Sequence, residues 1–288
     1  MSRGNINWLA SYPKSGNTWL RLLLASYFNE NAGAVGINTP NISDGISSAR
    51  KRFDEITGIS SSDLTLDEVR ALQPDFFNAL SARRRAPMWI KAHDAQMTLD
   101  SGTALFPASA SAAALYLVRN PLDVAVSLAF HDGHENMDRA IRKMGNPAAT
   151  LAGGKDVQLP QIINSWSGHV ISWADQTEIP VLVLRYEDFI ADTGACLTRA
   201  IAFARPTVLI DPVRIRKAVN DNTFEALQSA EQAEPFRERP PRAKRFFRKG
   251  ICGDWRNHLS ASQVQRICDD HGPVMHRFGY STATGDAQ

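Results

Sequence analysis

Residues 8–24 read WLASYPKSGNTWLRLLL and contain an apolar strand pattern, a short polar turn and a helix pattern, in that order. The turn is rich in small residues and carries Lys14 two positions before Gly16. A strand that enters a helix through such a turn exposes backbone N–H groups at the positive end of the helix. The segment therefore predicts an anion site, with an ordinary turn capped by Thr18 as the alternative. It is not the nucleoside-triphosphate loop GxxxxGK[ST], because the lysine precedes the glycine.

Further apolar runs have the length and composition of buried strands, and helical periodicity alternates with them. The predicted strands are Asn7–Ser11, Met88–Lys91, Ala114–Val118 and Pro180–Arg185. The predicted helices are Thr18–Phe28, Pro121–Ala129, Gln161–Thr177, Asp192–Ala204, Asp211–Val219 and Ala261–Phe278. This alternation predicts an α/β fold, a central parallel sheet with helices on both faces. We interpret segments 32–62, 145–159 and 231–249 as loops, and we expect residues 1–288 to form a single domain.

The composition is that of an ordinary globular protein: 288 residues, 43% hydrophobic and 22% charged. Thirty-two Lys and Arg stand against 30 Asp and Glu, a net charge of +2 that does not indicate a nucleic-acid or membrane partner. Three cysteines without CxxC spacing favour neither a disulfide scaffold nor a zinc site. The first apolar residues are too few for a secretory or membrane-spanning segment, so we expect a cytoplasmic protein.

Two later segments also combine cations with exposed backbone. In ALYLVRNPLDVAVS (residues 114–127), Arg119 ends a predicted strand and Ser127 lies about two helical turns further on. An arginine in that place can bind a phosphate, although a surface ion pair is the alternative. In FFRKGICGDWRNHLS (residues 246–260), Arg248 and Lys249 precede Gly250. This second segment predicts another phosphate contact, with a solvated basic loop or a nucleic-acid patch as the alternative.

Polar residues follow each of the four predicted strands. Lys14, His93, Arg119 and Tyr186 all come just after a strand end. Ligands of open parallel sheets bind beyond the carboxyl ends of the strands, so we expect these residues to share one edge. His93, in WIKAHD, is the candidate catalytic histidine, and the other histidines are expected to be structural. We predict no metal site, because the sequence has no clustered Cys/His ligand set.

The three segments PKSGNTW, LVRNPLDVAVS and RKGICGDWRN resemble, in order and spacing, the signatures of sulfotransferases that use 3′-phosphoadenosine 5′-phosphosulfate (PAPS). The resemblance covers nearly the whole chain and implies a loop after the first strand that binds the phosphosulfate in the manner of a P-loop. The chain resembles the soluble members of this family, both the cytosolic enzymes that act on small molecules and the bacterial enzymes that modify natural products. PAPS is then the co-substrate, and no metal is needed.

The resemblance also implies roles for individual residues. The 5′-phosphosulfate would contact Lys14, Ser15, Gly16, Asn17 and Thr18. The 3′-phosphate would contact Arg119, Ser127, Arg248, Lys249 and Gly250. The adenine side would be formed by Trp19, Tyr186, Asn222, Thr223 and Phe224, with Asn222 standing where the family often has threonine. The implied catalytic residues are His93 as general base, Lys14 at the leaving phosphate and, in an assisting role, Lys91.

The expected reaction is transfer of a sulfuryl group from PAPS to a hydroxyl of a small molecule, natural product or peptide. The alternatives are a carbohydrate sulfotransferase, a nucleotide-dependent phosphotransferase and a nucleotide-binding module without turnover. Phosphotransfer is disfavoured, because the chain has neither GxxxxGK[ST] nor a clear acidic strand for magnesium. We expect an acceptor substrate, no nucleic-acid partner and no membrane partner. The oligomeric state stays open, and the glycines at 153–154 are candidates for a lid over the acceptor.

Overall fold

The computed structural model describes residues 4–30, 33, 35–39, 43–151 and 157–280. Its strands are β1 (Ile6–Ser11), β2 (Met88–Ala92), β3 (Ser111–Val118), β4 (Thr150–Leu151), β5 (Gln161–Ile162) and β6 (Val181–Arg185). Its helices are α1 (Asn17–Phe28), α2 (Arg50–Thr57), α3 (Leu66–Ala82), α4 (Pro121–His131), α5 (Met137–Gly145), α6 (Trp166–Ala174), α7 (Tyr186–Ala191), α8 (Thr193–Ala204), α9 (Pro212–Asp221), α10 (Phe224–Ala233) and α11 (Ala261–Arg277). Among these described residues, no helix is long and apolar enough to cross a membrane.

The four predicted strands form one parallel sheet in the order β2-β1-β3-β6, with helices around it. In the β1–β2 pair, Ile6 lies opposite Met88 and Ala10 opposite Ala92. Every residue of β1 is buried, as expected for an inner strand of a parallel sheet that is covered on both faces. The α/β fold class predicted from the alternation of strand and helix patterns is confirmed.

The chain divides into two compact units. The first comprises the described parts of Met1–Tyr12, Ser43–Tyr116 and Pro147–Val183. Its core is aromatic: the indole ring of Trp8 lies 5.0 Å from the ring of Phe77 and 4.7 Å from that of Phe106, centroid to centroid. The indole N–H of Trp8 donates a hydrogen bond to Ser111 Oγ at 2.7 Å, so the buried donor is satisfied.

The second unit comprises the described parts of Pro13–Ile42, Leu117–Asn146 and Leu184–Gln288. One of its hydrophobic clusters consists of Leu22, Ile37, Leu227, Phe236 and Phe247. Helix α4 begins with Asn120 as N-cap, whose side chain accepts a hydrogen bond from the backbone N–H of Leu122, and with Pro121 as the first helical residue. Both features favour a helix start directly after Arg119.

Several secondary-structure expectations are wrong in part, and one of them is the expected loop 145–159, in which residues 150–151 form β4. The predicted helix Gln161–Thr177 begins late, because residues 161–162 form β5 and Asn164 has a left-handed backbone conformation (φ 58°). Ser165 then caps α6 by accepting a hydrogen bond from the N–H of Gly168. The segment 32–62, expected to be a loop, contains α2. That helix buries only Phe53, so its sequence lacks the apolar periodicity that identifies a helix.

Candidate functional site

The turn between β1 and α1 has the backbone of an anion-binding turn. Gly16 has φ 101° and Lys14 has φ 71°, a left-handed conformation that is uncommon for a residue with a side chain. A Cβ placed at Gly16 would lie 2.7 Å from Cδ2 of Tyr186, so packing also requires a glycine there. The hydroxyl of Ser15 is buried and has no hydrogen-bond partner among the described residues. A buried hydroxyl without a partner is available to hydrogen-bond a polar ligand.

The side chain of Lys14 is held by two neighbours of the same unit. Its ammonium lies 3.1 Å from Nδ1 of His131 and 4.4 Å from the ring centre of Phe246. An ammonium only donates, so Nδ1 of His131 accepts and the imidazole proton is on Nε2. His131, which was expected to be structural, therefore contacts a predicted catalytic residue.

Arg119 links the three segments that the sequence analysis singled out. Its guanidinium donates to the carbonyl oxygens of Lys14 and Ile251, both at 3.2 Å, and lies 4.2 Å from the ring centre of Tyr186. Its Nε is buried without a hydrogen-bond partner among the described residues. Burial raises the pKa of Tyr186, and the nearby Arg119 cation partly offsets that rise.

The residues expected on the adenine side lie together in the second unit. The indole N–H of Trp19 donates to the carbonyl oxygen of Asn222 at 2.9 Å, and its ring meets Tyr186 edge-on at 5.9 Å. The side-chain amide of Asn222 donates to Ser26 Oγ and to a backbone carbonyl of α9, both at 2.8 Å. Its Oδ1 is buried and has no partner among the residues described.

The segment that carries Arg248, Lys249 and Gly250 lies against the start of α10. A Cβ at Gly250, which has φ 65°, would come within 2.2 Å of a ring carbon of Phe224. Arg248 and Lys249 both bind the carboxylate of Asp254, at 2.5 and 2.7 Å. The two predicted phosphate-binding cations are therefore held by one acidic residue.

The remaining predicted nucleotide contacts have simpler surroundings. Thr223 caps α10 by accepting a hydrogen bond from the N–H of Ala226. Thr18, in the first turn of α1, accepts one from Arg21 at 3.1 Å. Asn17 is the first residue of α1 and is buried, and Ser127 lies half-buried in α4. These positions fit the motif assignment.

His93 and Lys91 belong to the first unit. Nδ1 of His93 lies 2.8 Å from the carbonyl oxygen of Ser11, the last residue of β1. A carbonyl only accepts, so Nδ1 carries the proton and the lone pair is on Nε2. Lys91, in β2, pairs through its backbone with residues 45 and 47, donating to Gly45 and accepting from Ser47.

A buried polar network supports the segment after β2. His169 donates from Nε2 to the carbonyl oxygen of His93 at 3.1 Å, and its Nδ1 accepts from the hydroxyl of Tyr116 at 2.8 Å. Burial lowers the pKa of His169 to about 3, so the ring is neutral. The neighbouring Asp94 accepts a hydrogen bond from the N–H of Ile162, and burial raises its pKa to about 7.

The structure adds two acidic residues that the sequence analysis did not select, Asp123 and Asp254. Each lies inside a quoted segment, but an acidic residue is not an obvious part of an anion site. Residues 152–156, which include the predicted lid glycines, lie outside the described residues. Across the described ranges, no group of three or more His, Cys, Asp or Glu side chains is arranged to hold a metal ion.

A model of the sulfotransferase domain family matches residues 7–279, and the chain belongs to that family. Among curated proteins, mouse sulfotransferase 2A2 is 27% identical over 161 residues, which cover 54% of this chain and 54% of that protein. Cytosolic sulfotransferase 12 of Arabidopsis thaliana is 28% identical over 268 residues, 90% of this chain and 74% of that protein. The chain thus spans about half the length of some curated relatives that it matches and more of others.

Solved structures with the same fold include mouse sulfotransferase SULT7A1 complexed with PAP, with a TM-score of 0.60 and 18% identity over 96% of this chain and 86% of that one. Retinol dehydratase in complex with androsterone and the inactive cofactor PAP also matches, with a TM-score of 0.60 and 18% identity over 96% and 82% of the two chains. At this level of identity the likeness establishes the fold.

Proposed function

We propose that this protein transfers a sulfuryl group from PAPS to a hydroxyl of a small molecule, natural product or peptide, releasing adenosine 3′,5′-bisphosphate (PAP). The observation that carries the proposal is the contact of Arg119 with both other motif segments, through the carbonyls of Lys14 and Ile251. The family match and the PAP named in the related structures support the choice of nucleotide. The fold alone would not, because one fold hosts many functions.

The donor set fits a doubly phosphorylated adenosine. The buried polar atoms that have no partner among the described residues include Ser15 Oγ, Arg119 Nε and Asn222 Oδ1. They occur in the phosphosulfate turn, at the predicted 3′-phosphate site and on the adenine side. On this proposal the 5′-phosphosulfate binds residues 14–18 and the 3′-phosphate binds Arg119, Ser127 and residues 248–250. The adenine lies near Trp19, Tyr186 and residues 222–224.

The proposed reaction forms a bond between the acceptor oxygen and sulfur and breaks the bond between sulfur and the 5′-phosphate oxygen. The hydroxyl proton passes to Nε2 of His93, the nitrogen that carries the lone pair because Nδ1 donates to Ser11. Lys14 stabilises the charge that develops on the departing phosphate, and Lys91 helps to hold the sulfuryl group or the acceptor. We propose that residues 1–288 serve as a single sulfotransferase domain.

Calorimetric titration with PAP tests the nucleotide assignment. We expect the wild-type protein to bind PAP in EDTA more tightly than AMP or ATP, and Arg119→Ala to weaken PAP binding at least about tenfold, since a hydrogen-bonded charge is lost. Arg199→Ala, at an exposed position of α8, is the matched control. A preference for ATP that requires Mg²⁺ would instead support a phosphotransferase.

Turnover with sulfur-35 PAPS and a panel of hydroxylated acceptors tests the base. We expect His93→Ala to lower the rate by about 10²–10⁴ while PAP affinity is unchanged, because His93 acts on the acceptor and not on the nucleotide. His276→Ala, at an exposed position of α11, is the control. An active His93→Ala protein would disprove the base assignment without affecting the nucleotide assignment.

A further inference from the structure

The carboxylate of Asp254 holds both predicted cations of the late motif. It accepts hydrogen bonds from Arg248 Nη2 at 2.5 Å and Lys249 Nζ at 2.7 Å. Its other neighbours are the side-chain amide of Asn257, which donates to it at 3.2 Å, and Nε2 of His258, also at 3.2 Å. The side chain of Asp254 is only 3% exposed, whereas those of Arg248 and Lys249 are 27% and 44% exposed. The cations therefore have a buried anchor while their side chains stay partly accessible to solvent.

Asp254 is an ionised carboxylate in this arrangement. Burial by itself would raise its pKa, but hydrogen bonds from Lys249 and Arg248 outweigh burial and hold the pKa well below its usual range. An arginine has five N–H donors and an ammonium has three, so each cation keeps donors for a further ligand. Both cations can therefore bind a phosphate without leaving Asp254.

The backbone on either side of Asp254 is fixed by a second buried carboxylate. Asp123, in the first turn of α4, accepts hydrogen bonds from the N–H of Gly253 at 2.7 Å and of Trp255 at 3.0 Å. Asp123 is 3% exposed. Arg119, four residues earlier in the chain, donates to the carbonyl of Ile251. The segment 251–255 is thus tied at three points to the region that follows β3.

We propose that Asp254 is a positioning residue, held in place by Asp123, which aligns Arg248 and Lys249 for a ribose 3′-phosphate. It thereby gives the site its preference for a 3′-phosphorylated nucleotide. The inference rests on the proposed function. Lysine and arginine side chains lose considerable rotamer entropy when they are ordered, and a buried anchor removes that cost before the ligand arrives.

If electrostatic repulsion alone governed affinity, removal of the Asp254 carboxylate would strengthen phosphate binding. An acidic group near a bound phosphate repels it, so its neutralisation should tighten binding if Coulomb interaction decides. If alignment decides, neutralisation should weaken binding although the site becomes more positive. The direction of the change in affinity therefore separates the two explanations.

The test compares PAP and AMP, which differ by the 3′-phosphate, in titrations of the wild-type and Asp254→Asn proteins. We expect Asp254→Asn to weaken PAP binding about tenfold and to leave AMP binding within about twofold, so that the ratio of affinities falls. General damage to the fold would weaken both ligands. Asp269→Asn, at an exposed position of α11, is the matched control and should leave the ratio unchanged.

A second variant keeps the test decisive if Asp254→Asn does not fold. The Asp123→Asn variant keeps Arg248, Lys249 and Asp254, but its side chain loses one of the two hydrogen bonds that Asp123 accepts from the backbone. We expect this variant also to lower the ratio of PAP affinity to AMP affinity. An unchanged or tighter PAP affinity in the folded variants would overturn the inference. A wild-type protein that does not prefer PAP over AMP would instead contradict the proposed function.

Discussion

Gly250 lies where a side chain is excluded both by the backbone and by a neighbour. Its φ is 65°, and a Cβ would come 2.2 Å from a ring carbon of Phe224, one of the residues proposed to lie beside adenine. Any larger residue must displace the Phe224 ring as well as adopt a left-handed backbone. The position therefore connects packing with nucleotide binding.

We expect Gly250→Ala to lower the free energy of unfolding by more than the roughly 1–2 kcal/mol that a left-handed backbone costs an L-residue, because the clash adds to that cost. We also expect weaker PAP binding, since the Phe224 ring must move. Urea unfolding and PAP titration measure the two effects.

Gly58→Ala is the control for the backbone contribution. Gly58 has φ 72°, and nothing lies within 4 Å of the position that a Cβ would take. In this variant the free energy of unfolding should fall only by the cost of the left-handed backbone, and the PAP affinity should not change. Equal losses of stability in the two variants would show that the contact with Phe224 does not matter.

At the residue scale the sequence predicts the cations better than their partners. Lys14, Arg119 and Arg248 stand out because they follow strand ends or lie in a quoted segment with a glycine. Asp123 does not, because it accepts hydrogen bonds from backbone groups 130 and 132 residues further along the chain. Such a contact leaves no local pattern in the sequence.

At the scale of elements, the strands of the parallel sheet are easier to predict than the helices. The four strands of the parallel sheet are apolar runs in the sequence, and each prediction matches an observed strand to within three residues at either end. Helix α10 was missed, although Thr223 is its N-cap. Half of its ten residues are polar, and only Leu227 and Glu231 are buried in it. A helix with so narrow a buried face gives a weak periodic signal.

Asn222 connects two helices, and this predicts a measurable loss when it is replaced. Its amide nitrogen donates to Ser26 Oγ of α1 and to the carbonyl of Ala218 in α9, and the residue is 1% exposed. We expect Asn222→Ala to lower the free energy of unfolding by about 2 kcal/mol, because buried acceptors lose their donor. Urea unfolding checks this.

The matched control for that element is Asn220→Ala, two residues earlier on the exposed side of α9. It removes the same side chain without a buried hydrogen bond, so we expect a change within about 0.5 kcal/mol. If both variants unfold at the same urea concentration, the link between α1 and α9 through Asn222 does not stabilise the protein.

At the scale of the whole molecule, two buried groups of the first unit should make stability depend on pH in opposite directions. Burial lowers the pKa of His169 to about 3 from 6.5. Between those values the unfolded chain binds a proton that the folded chain excludes, so this contribution to stability rises with pH. Burial raises the pKa of Asp94 from 3.8 to about 7. The folded chain then keeps a proton that the unfolded chain has lost, so that contribution falls as pH rises.

These opposing contributions partly cancel in the wild-type protein, and substitution separates them. We expect His169→Gln to cost more stability at about pH 6.5 than at about pH 5, and Asp94→Asn to cost less. Each difference should approach about 1.4 kcal/mol per pH unit, to be measured by urea unfolding at both pH values. Protonation of His169 would also remove the acceptor for the Tyr116 hydroxyl, which favours the neutral ring in the folded state. If the loss of stability changed with pH in the same direction for both variants, the pKa values of His169 and Asp94 would not be shifted by burial as described.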